Sequence, residues 1–161
     1  MRATILSVTA VLPFRLKAAA ETQVAPWHTR IVSHRIHGLV RVEDMRLVLE
    51  WSGTAEVIET KGTGTRVKEE TLPVRTVSLP VIRVARLVLE GRWWRWRVVL
   101  RATDLAAIAE VPGARDGALI LWIARRDRAL AAELITNLEI QQADAALAAA
   151  EEPPPLPPAT S

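Results

Sequence analysis

The chain has 161 residues, half of them hydrophobic, and contains no cysteine. This length favours one domain with short tails, and the lack of cysteine excludes disulfides, thiolate metal sites and cysteine nucleophiles. The formal net charge is +3, and 18 of the 21 basic residues are arginine. Because acidic residues are interspersed with these arginines along the chain, the pattern does not favour nucleic-acid binding, which depends on clustered positive charge.

Residues 1–34 are expected to form an N-terminal extension with one strand over residues 4–12. Leu6, Val8, Ala10 and Leu12 fall on one face of such a strand. Serine and threonine dilute the apolar run, and Pro13 follows it closely. The segment therefore favours a strand over a secretory signal peptide. With no apolar run of 18 residues to span a membrane, we expect a cytoplasmic protein.

From residue 35 onward, alternating side chains predict a series of short antiparallel strands. They are expected at 36–42, 45–52, 55–60, 74–79, 82–90, 93–101 and 118–124. Turns are expected at Glu43-Asp44, at Ser52-Gly53 and at Gly91, with a glycine-rich loop over 61–65. The connections are too short for crossover helices, so the sheet should be mainly antiparallel.

A single helix is predicted over residues 128–151, after a short helical turn over 105–109. Leu130, Leu134 and Leu138, with Ile135 beside them, form an apolar stripe at helical spacing. Three consecutive prolines begin at Pro153 and end the helix. Residues 152–161 are therefore expected to be a proline-rich, disordered tail.

The order of these elements resembles the pleckstrin-homology (PH) superfold over residues 36–150. The resemblance rests on the apolar run 79–89, the segment 96–104, Pro112-Gly113, the strand 119–123 and the strand-to-helix junction 125–134. It implies an α+β domain over residues 35–151, mainly β, in which about seven antiparallel strands form a partly open barrel capped by one long helix. Many unrelated functions share this shape, so the resemblance implies no activity.

Two positions depart from the PH pattern. PH domains that bind phosphoinositides generally carry basic residues around the first hairpin turn, whereas Glu43 and Asp44 occupy that turn here. This difference argues against inositol-lipid recognition. PH helices also carry a buried tryptophan, which this helix lacks, and Trp122 on the preceding strand is expected to fill similar space.

The aromatic and basic segment 93–101 is the candidate binding surface. Alternation is expected to turn Trp94 and Trp96 into the core. The residues expected to face outward are Trp93, Arg95, Arg97 and Arg101. Such residues suit stacking or a lipid interface. The alternative interpretation is a solvated face whose arginine stems cover apolar surface.

The sequence contains no recognisable catalytic or cofactor motif. His34 and His37 point to opposite faces of an extended strand, so with His28 they do not converge as metal ligands. The loop 62–65 lacks the lysine of a phosphate-binding loop, and the serines lie in no nucleophile-elbow motif. We therefore expect no enzyme activity, no metal and no cofactor.

These observations predict a non-catalytic interaction module that binds a protein or peptide, by strand addition or in a groove. Trp93, Arg95, Arg97 and Arg101 are the candidate binding residues. The alternative is peripheral binding to an anionic membrane lipid through the same face. A small homo-oligomer with a structural role is a third hypothesis.

Overall fold

The computed structural model describes residues 10–151, which form one antiparallel sheet and one C-terminal helix. The strands are β1 Val11–Ala25, β2 His28–Glu43, β3 Arg46–Lys61, β4 Gly64–Pro80, β5 Val84–Arg92, β6 Arg95–Ala102 and β7 Ala118–Ile123, and the helix is α1 Arg128–Glu151. Their order in the sheet is β4-β3-β2-β1-β7-β6-β5. The sheet is not closed, because β4 and β5 form its two edges. The predicted fold class, an open β-barrel of seven strands with a C-terminal helix, is confirmed.

Side chains at alternate strand positions form one core with the helix. Leu12 and Leu16 of β1 and Leu121 of β7 are buried. Leu134 and Leu138 of α1 pack into the same cluster, and Leu130 and Ile135 contact it from its margin. The apolar stripe predicted for the helix therefore packs against the sheet as expected.

Two adjacent glutamines of α1 also attach the helix to the sheet. Gln141 accepts a hydrogen bond from the amide N of Met45 in the β2–β3 turn, at 2.9 Å. Gln142 donates to the carbonyl oxygens of Val81 and Val84, each at 2.9 Å. The helix thus holds both the β2–β3 turn and the connection from β4 to β5. In the described part of the chain, no helix is long and apolar enough to cross a membrane.

Glycines allow close approach at the middle of the long strands. The Phe14 ring lies across Gly38, with its Cζ atom 2.6 Å from where a Cβ would stand. Gly53 lies against the backbone carbonyl of Arg35. The turn predicted at Ser52-Gly53 is therefore wrong: β3 continues through this point, and the β3–β4 register shifts between Trp51 and Gly53.

Beyond these glycines, β1 to β4 continue as a four-stranded extension, which we call the arm (residues 17–35 and 54–72). It ends at the turns after Ala25 and Lys61, and Gly62 donates a hydrogen bond to the Trp27 carbonyl, at 3.0 Å. Apart from Leu72, no arm residue belongs to the core or packs against it. The arm is a single layer of sheet, in which Ala55 and Val57 on the inner side of β3 are buried.

β1 extends well beyond residue 12, where the sequence predicted the N-terminal strand to end. β1 spans Val11–Ala25 and pairs with β2 along its length, because the inward alternation of Leu12 continues through Phe14 and Leu16. Most of the expected extension, residues 1–34, is thus part of the sheet. Of the predicted strand 4–12, residues 4–9 lie outside the described residues, as does the proline-rich tail.

Candidate functional site

The β5–β6 hairpin turns at two exposed tryptophans. Arg92 pairs with Arg95 across the hairpin, which leaves Trp93 and Trp94 as the turn. Their exposed fractions are 72% and 75%. The prediction that Trp94 points into the core is therefore wrong, whereas Trp93 is exposed as expected. Trp93 has φ +59°, a left-handed conformation that bulky residues rarely adopt.

The position of this turn follows from the pairing of Gly91 with Trp96. The Trp96 ring lies 2.5 Å from where a Gly91 Cβ would stand, so only glycine fits beneath it. The Trp96 indole N–H donates to the Trp93 carbonyl at 3.3 Å, and the Arg128 guanidinium lies 4.6 Å from the ring centroid. Gly91 is thus needed inside the strand. The turn predicted there falls two residues later, and Trp96 is half-buried against the core.

The outward side of β5, β6 and β7 carries a cluster of arginines and aromatic residues. We call it the arginine–tryptophan face and define it by the arginines and tryptophans that point away from the core or lie in the β5–β6 turn. These are Arg86, Arg92, Trp93, Trp94, Arg95, Arg97, Arg101 and Trp122. It includes all four binding residues predicted from the sequence. Glu90 is the acidic residue that these strands turn outward.

Two pairs of arginines on this face stand directly opposite each other. Arg86 pairs with Arg101, and Arg92 pairs with Arg95. Among the described residues, no carboxylate lies within 4 Å of any of these four guanidinium groups. Like charges directly opposite in an antiparallel pair are destabilising, on a scale of about 0.2–1 kcal/mol. The hairpin therefore holds positive charge that its own acidic residues do not neutralise.

Arg97 differs from its neighbours because it has partners within the chain. Its guanidinium Nη2 lies 2.8 Å from Glu90 Oε2 on the opposite strand. On its other side, the guanidinium lies 5.9 Å from the centroid of the Trp122 ring. Of the predicted binding residues, Arg97 is thus held in place, while Arg95 and Arg101 are free to meet a partner.

Trp122 occupies the seam at which the two halves of the sheet meet. β1 and β7 pair at one position, Arg15 with Trp122. Shallow clefts of about 470 and 360 Å³ open on either side of this pair, and Trp122 lines both. It lies outward with 39% exposure, so the expectation that it fills core space is wrong. Trp122 pairs with Arg15 of β1 and with the outward-facing Arg97 of β6, so its side chain lies on the outward face of β7.

Both clefts are lined by apolar and basic residues, and Asp127 is among the lining residues of the larger one. Leu39 and Ile123 line the larger cleft together with Arg15 and Arg126, and Ile120 lines the smaller one with Lys17 and Arg115. A third depression of about 410 Å³ lies between the tryptophan turn and Trp122. The arginine–tryptophan face thus offers grooves in which apolar side chains can lie beside arginines.

Two arginines elsewhere on the sheet, Arg30 and Arg41, have a carboxylate partner. At the β2–β3 hairpin, Arg41 Nε lies 3.0 Å from Glu43 Oε2, and Glu50 lies 3.9 Å from the same guanidinium group. The hydrogen bond to Glu43 raises the pKa of Arg41 above its ordinary value. The acidic turn that departs from the PH pattern therefore binds its own arginine. Among residues 10–151, the β5–β6 hairpin holds the two facing pairs of arginines, and Lys17 opposite Arg35 on β1 and β2 is a further facing basic pair.

The histidines do not assemble a metal site within residues 10–151. His34 and His37 lie on opposite faces of β2, as the sequence predicted. His37 Nε2 lies 3.1 Å from Ser52 Oγ on the neighbouring strand, a pairing that no sequence motif indicated. Within the same residues, no carboxylate hydrogen-bonds to the other ring nitrogen, so the pair lacks the third group that orients a catalytic histidine.

Compared with known proteins, the chain matches no family model, and no curated protein or solved structure is significantly similar to it.

Proposed function

We propose that the chain is a non-catalytic interaction module of PH-like architecture that binds an acidic protein segment on its arginine–tryptophan face. The architecture supports the PH resemblance, because β1–β4 and β5–β7 form two parts of one open sheet, joined at the Arg15–Trp122 pair and covered by α1. Fold alone carries no function. The proposal depends instead on the charges of the β5–β6 hairpin.

The facing arginine pairs are the observation that carries this proposal. Each pair lowers the stability of the free hairpin, and a carboxylate placed between two guanidinium groups removes that repulsion. Exposed tryptophans beside the arginines add apolar contact area, and these two residue types are the ones enriched at the centres of protein interfaces. A segment that carries acidic and apolar side chains on the same face therefore matches this surface, because successive side chains of an extended chain point to opposite faces.

The extent of the arginines favours a protein surface over a membrane. Arg95 and Arg101 are six residues apart on one strand, which corresponds to about 20 Å. If the tryptophan turn entered a bilayer tip first, Arg101 would lie far beyond a headgroup layer about 5–7 Å thick. An extended peptide that lies along β6 reaches the whole row at once, whereas a bilayer does so only if the hairpin lies flat on it.

Binding to an anionic membrane is a second candidate, which the tryptophan turn itself favours. Trp93 and Trp94 protrude together, and Arg92 and Arg95 flank them. Tryptophan prefers the interfacial layer of a bilayer, and arginine binds lipid phosphates. This candidate needs the turn and its flanking arginines alone, whereas the protein-binding proposal needs Arg86 and Arg101 as well.

The decisive experiment uses a labelled glutamate–leucine peptide of the repeat Glu-Thr-Leu-Thr, which places glutamate and leucine on one face of an extended chain, and a counterpart peptide with lysine in place of glutamate. By fluorescence anisotropy, we expect the acidic peptide to bind and the basic peptide not to bind. Arg86→Glu/Arg101→Glu should weaken the acidic peptide about tenfold or more, which is ~1.4 kcal/mol or greater. The control Lys61→Glu/Arg75→Glu changes the net charge equally at exposed positions elsewhere and should leave binding unchanged.

Two results would contradict the protein-binding proposal. One is equal weakening by both charge-reversed variants, which would indicate a net-charge effect without a specific surface. The other is co-sedimentation with vesicles of phosphatidylserine and phosphatidylcholine that persists in Arg86→Glu/Arg101→Glu, without any peptide binding. That second pattern would assign the tryptophan turn to membrane binding.

A further inference from the structure

The outer face of the arm carries an apolar stripe that nothing in the described chain covers. Ile31 of β2 pairs with Ile58 of β3, and Ile58 pairs in turn with Val67 of β4. All three point away from the core side of the sheet, and each is at least partly exposed. A row of aliphatic side chains thus crosses three strands of a single-layer sheet.

Carboxylates border this stripe. Glu21 of β1 lies in the same cross-strand row, next to Ile31. In the adjacent row, Glu56 pairs directly with Glu69. Within residues 10–151, no basic group lies within 4 Å of any of these three carboxylates. The Glu56–Glu69 pair is the acidic counterpart of the facing arginine pairs, with the same destabilising geometry. Lys17 and Arg35 face each other in the next row toward the barrel, beside the row of the glutamate pair.

The two surfaces complement each other in charge and in apolar character. One presents tryptophans beside unneutralised arginine pairs, and the other presents aliphatic side chains beside an unneutralised glutamate pair. We propose that the arginine–tryptophan face of one molecule docks on the outer face of the arm of a second copy. This inference rests on the proposed function, because it identifies the acidic protein segment as the arm of another molecule.

The proposed contact joins two different surfaces of the same chain. In such a heterologous contact, copies add head to tail. They form a closed ring, or an open chain that leaves one of each surface free at its ends. Eight residues along a strand and four strands across give the arm face dimensions of about 26 by 19 Å. A contact of this size lies at the small end of protein interfaces, so the association should be weak and sensitive to salt.

Sedimentation velocity on matched variants tests the contact. The wild type should show an average mass that rises above 17.8 kDa with concentration at low salt and falls as salt is added. Glu56→Lys/Glu69→Lys makes the arm basic, and Arg86→Glu/Arg101→Glu makes the β5–β6 face acidic. Each variant alone should remain monomeric. An equimolar mixture should associate again, because each altered surface then meets one of opposite charge.

Two outcomes would overturn the inference: a monomeric wild type at the highest concentration studied at low salt, or a mixture that stays monomeric although both variants are folded by circular dichroism. If Glu56→Lys/Glu69→Lys does not fold, Glu56→Gln/Glu69→Gln removes the two charges instead of reversing them. This variant should associate with itself less than the wild type does. Glu56→Lys/Glu69→Lys retains its arginine–tryptophan face and should still bind the glutamate–leucine peptide. Peptide binding without self-association would reject the second copy as partner and leave the proposed function standing.

Discussion

Leu134→Ala should destabilise the protein by about 2–5 kcal/mol. The Leu134 side chain is 0% exposed and lies in the one cluster that joins α1 to the sheet. Its truncation removes buried apolar area and leaves a cavity, because the strands beneath are held by their ladder hydrogen bonds and cannot collapse into the space. The helix should consequently detach at lower denaturant concentration.

Urea unfolding followed by circular dichroism measures this effect, with Leu147→Ala as the matched control. Leu147 lies on the same helix but is 65% exposed. Its truncation should change the free energy of unfolding by no more than about 0.5 kcal/mol. Equal losses in the two variants would contradict a stabilising contact of Leu134 with the sheet, because Ala has a higher helix propensity than Leu and propensity alone would cause no loss.

Gly53→Ala should cost about 4 kcal/mol or more, or prevent folding. A Cβ at this position would overlap the backbone carbonyl of Arg35 on β2. Backbone cannot rotate away as a side chain does, so β2 and β3 would have to separate at the point where the arm leaves the barrel. The pairing that continues from this point into the arm depends on the same close approach.

Gly64→Ala is the control for this substitution, because it adds the same methyl group elsewhere in the sheet. The nearest atom to a Cβ there is the Lys61 carbonyl oxygen at 3.6 Å, an ordinary contact. Thermal unfolding should therefore give nearly the wild-type midpoint for Gly64→Ala and a much lower one for Gly53→Ala. A wild-type midpoint for Gly53→Ala would show that the strands do not meet as closely as described.

Periodicity in the sequence predicted the elements whose two sides differ most in polarity. The alternation in β7 and the stripe around Leu134 each had a single arrangement that buries the apolar side chains, so strand, helix and core were predictable. The lengths of β1 to β4 were not predictable from the sequence. Alternation weakens in the arm segments of β1, β2 and β4, where no residue is buried, whereas β3 keeps it through Ala55 and Val57. A strand without a buried face has no strict pattern.

The glycines misled the sequence interpretation for a physical reason. Glycine at a turn and glycine beneath an aromatic ring look alike in a sequence, and Gly91 serves the second purpose under Trp96. Because Gly91 lies within β5, the turn falls at residues 93–94, and Trp94 lies at the tip of the hairpin and not in the core. Of the exposed tryptophan pair, which is central to the proposed function, the sequence therefore predicted the exposure of Trp93 but not that of Trp94.

The candidate site was predictable in composition but not in arrangement. The outward parity of Arg95, Arg97 and Arg101 followed from alternation alone. That Arg86 stands opposite Arg101 depends on the register between two strands, which includes an irregularity between Val84 and Arg86. No local pattern specifies such a shift, so the facing arginine pairs emerge only from the folded chain.

Photo-crosslinking from position 94 tests the central claim that the arginine–tryptophan face is the contact surface. Photoreactive benzoylphenylalanine replaces Trp94 in one variant and Ile140 in the other, since Ile140 is also exposed but lies on α1, away from this face. Irradiation with the glutamate–leucine peptide should give a crosslinked product from position 94 and none from position 140. Crosslinks from position 140 alone, or equally from both positions, would contradict the account.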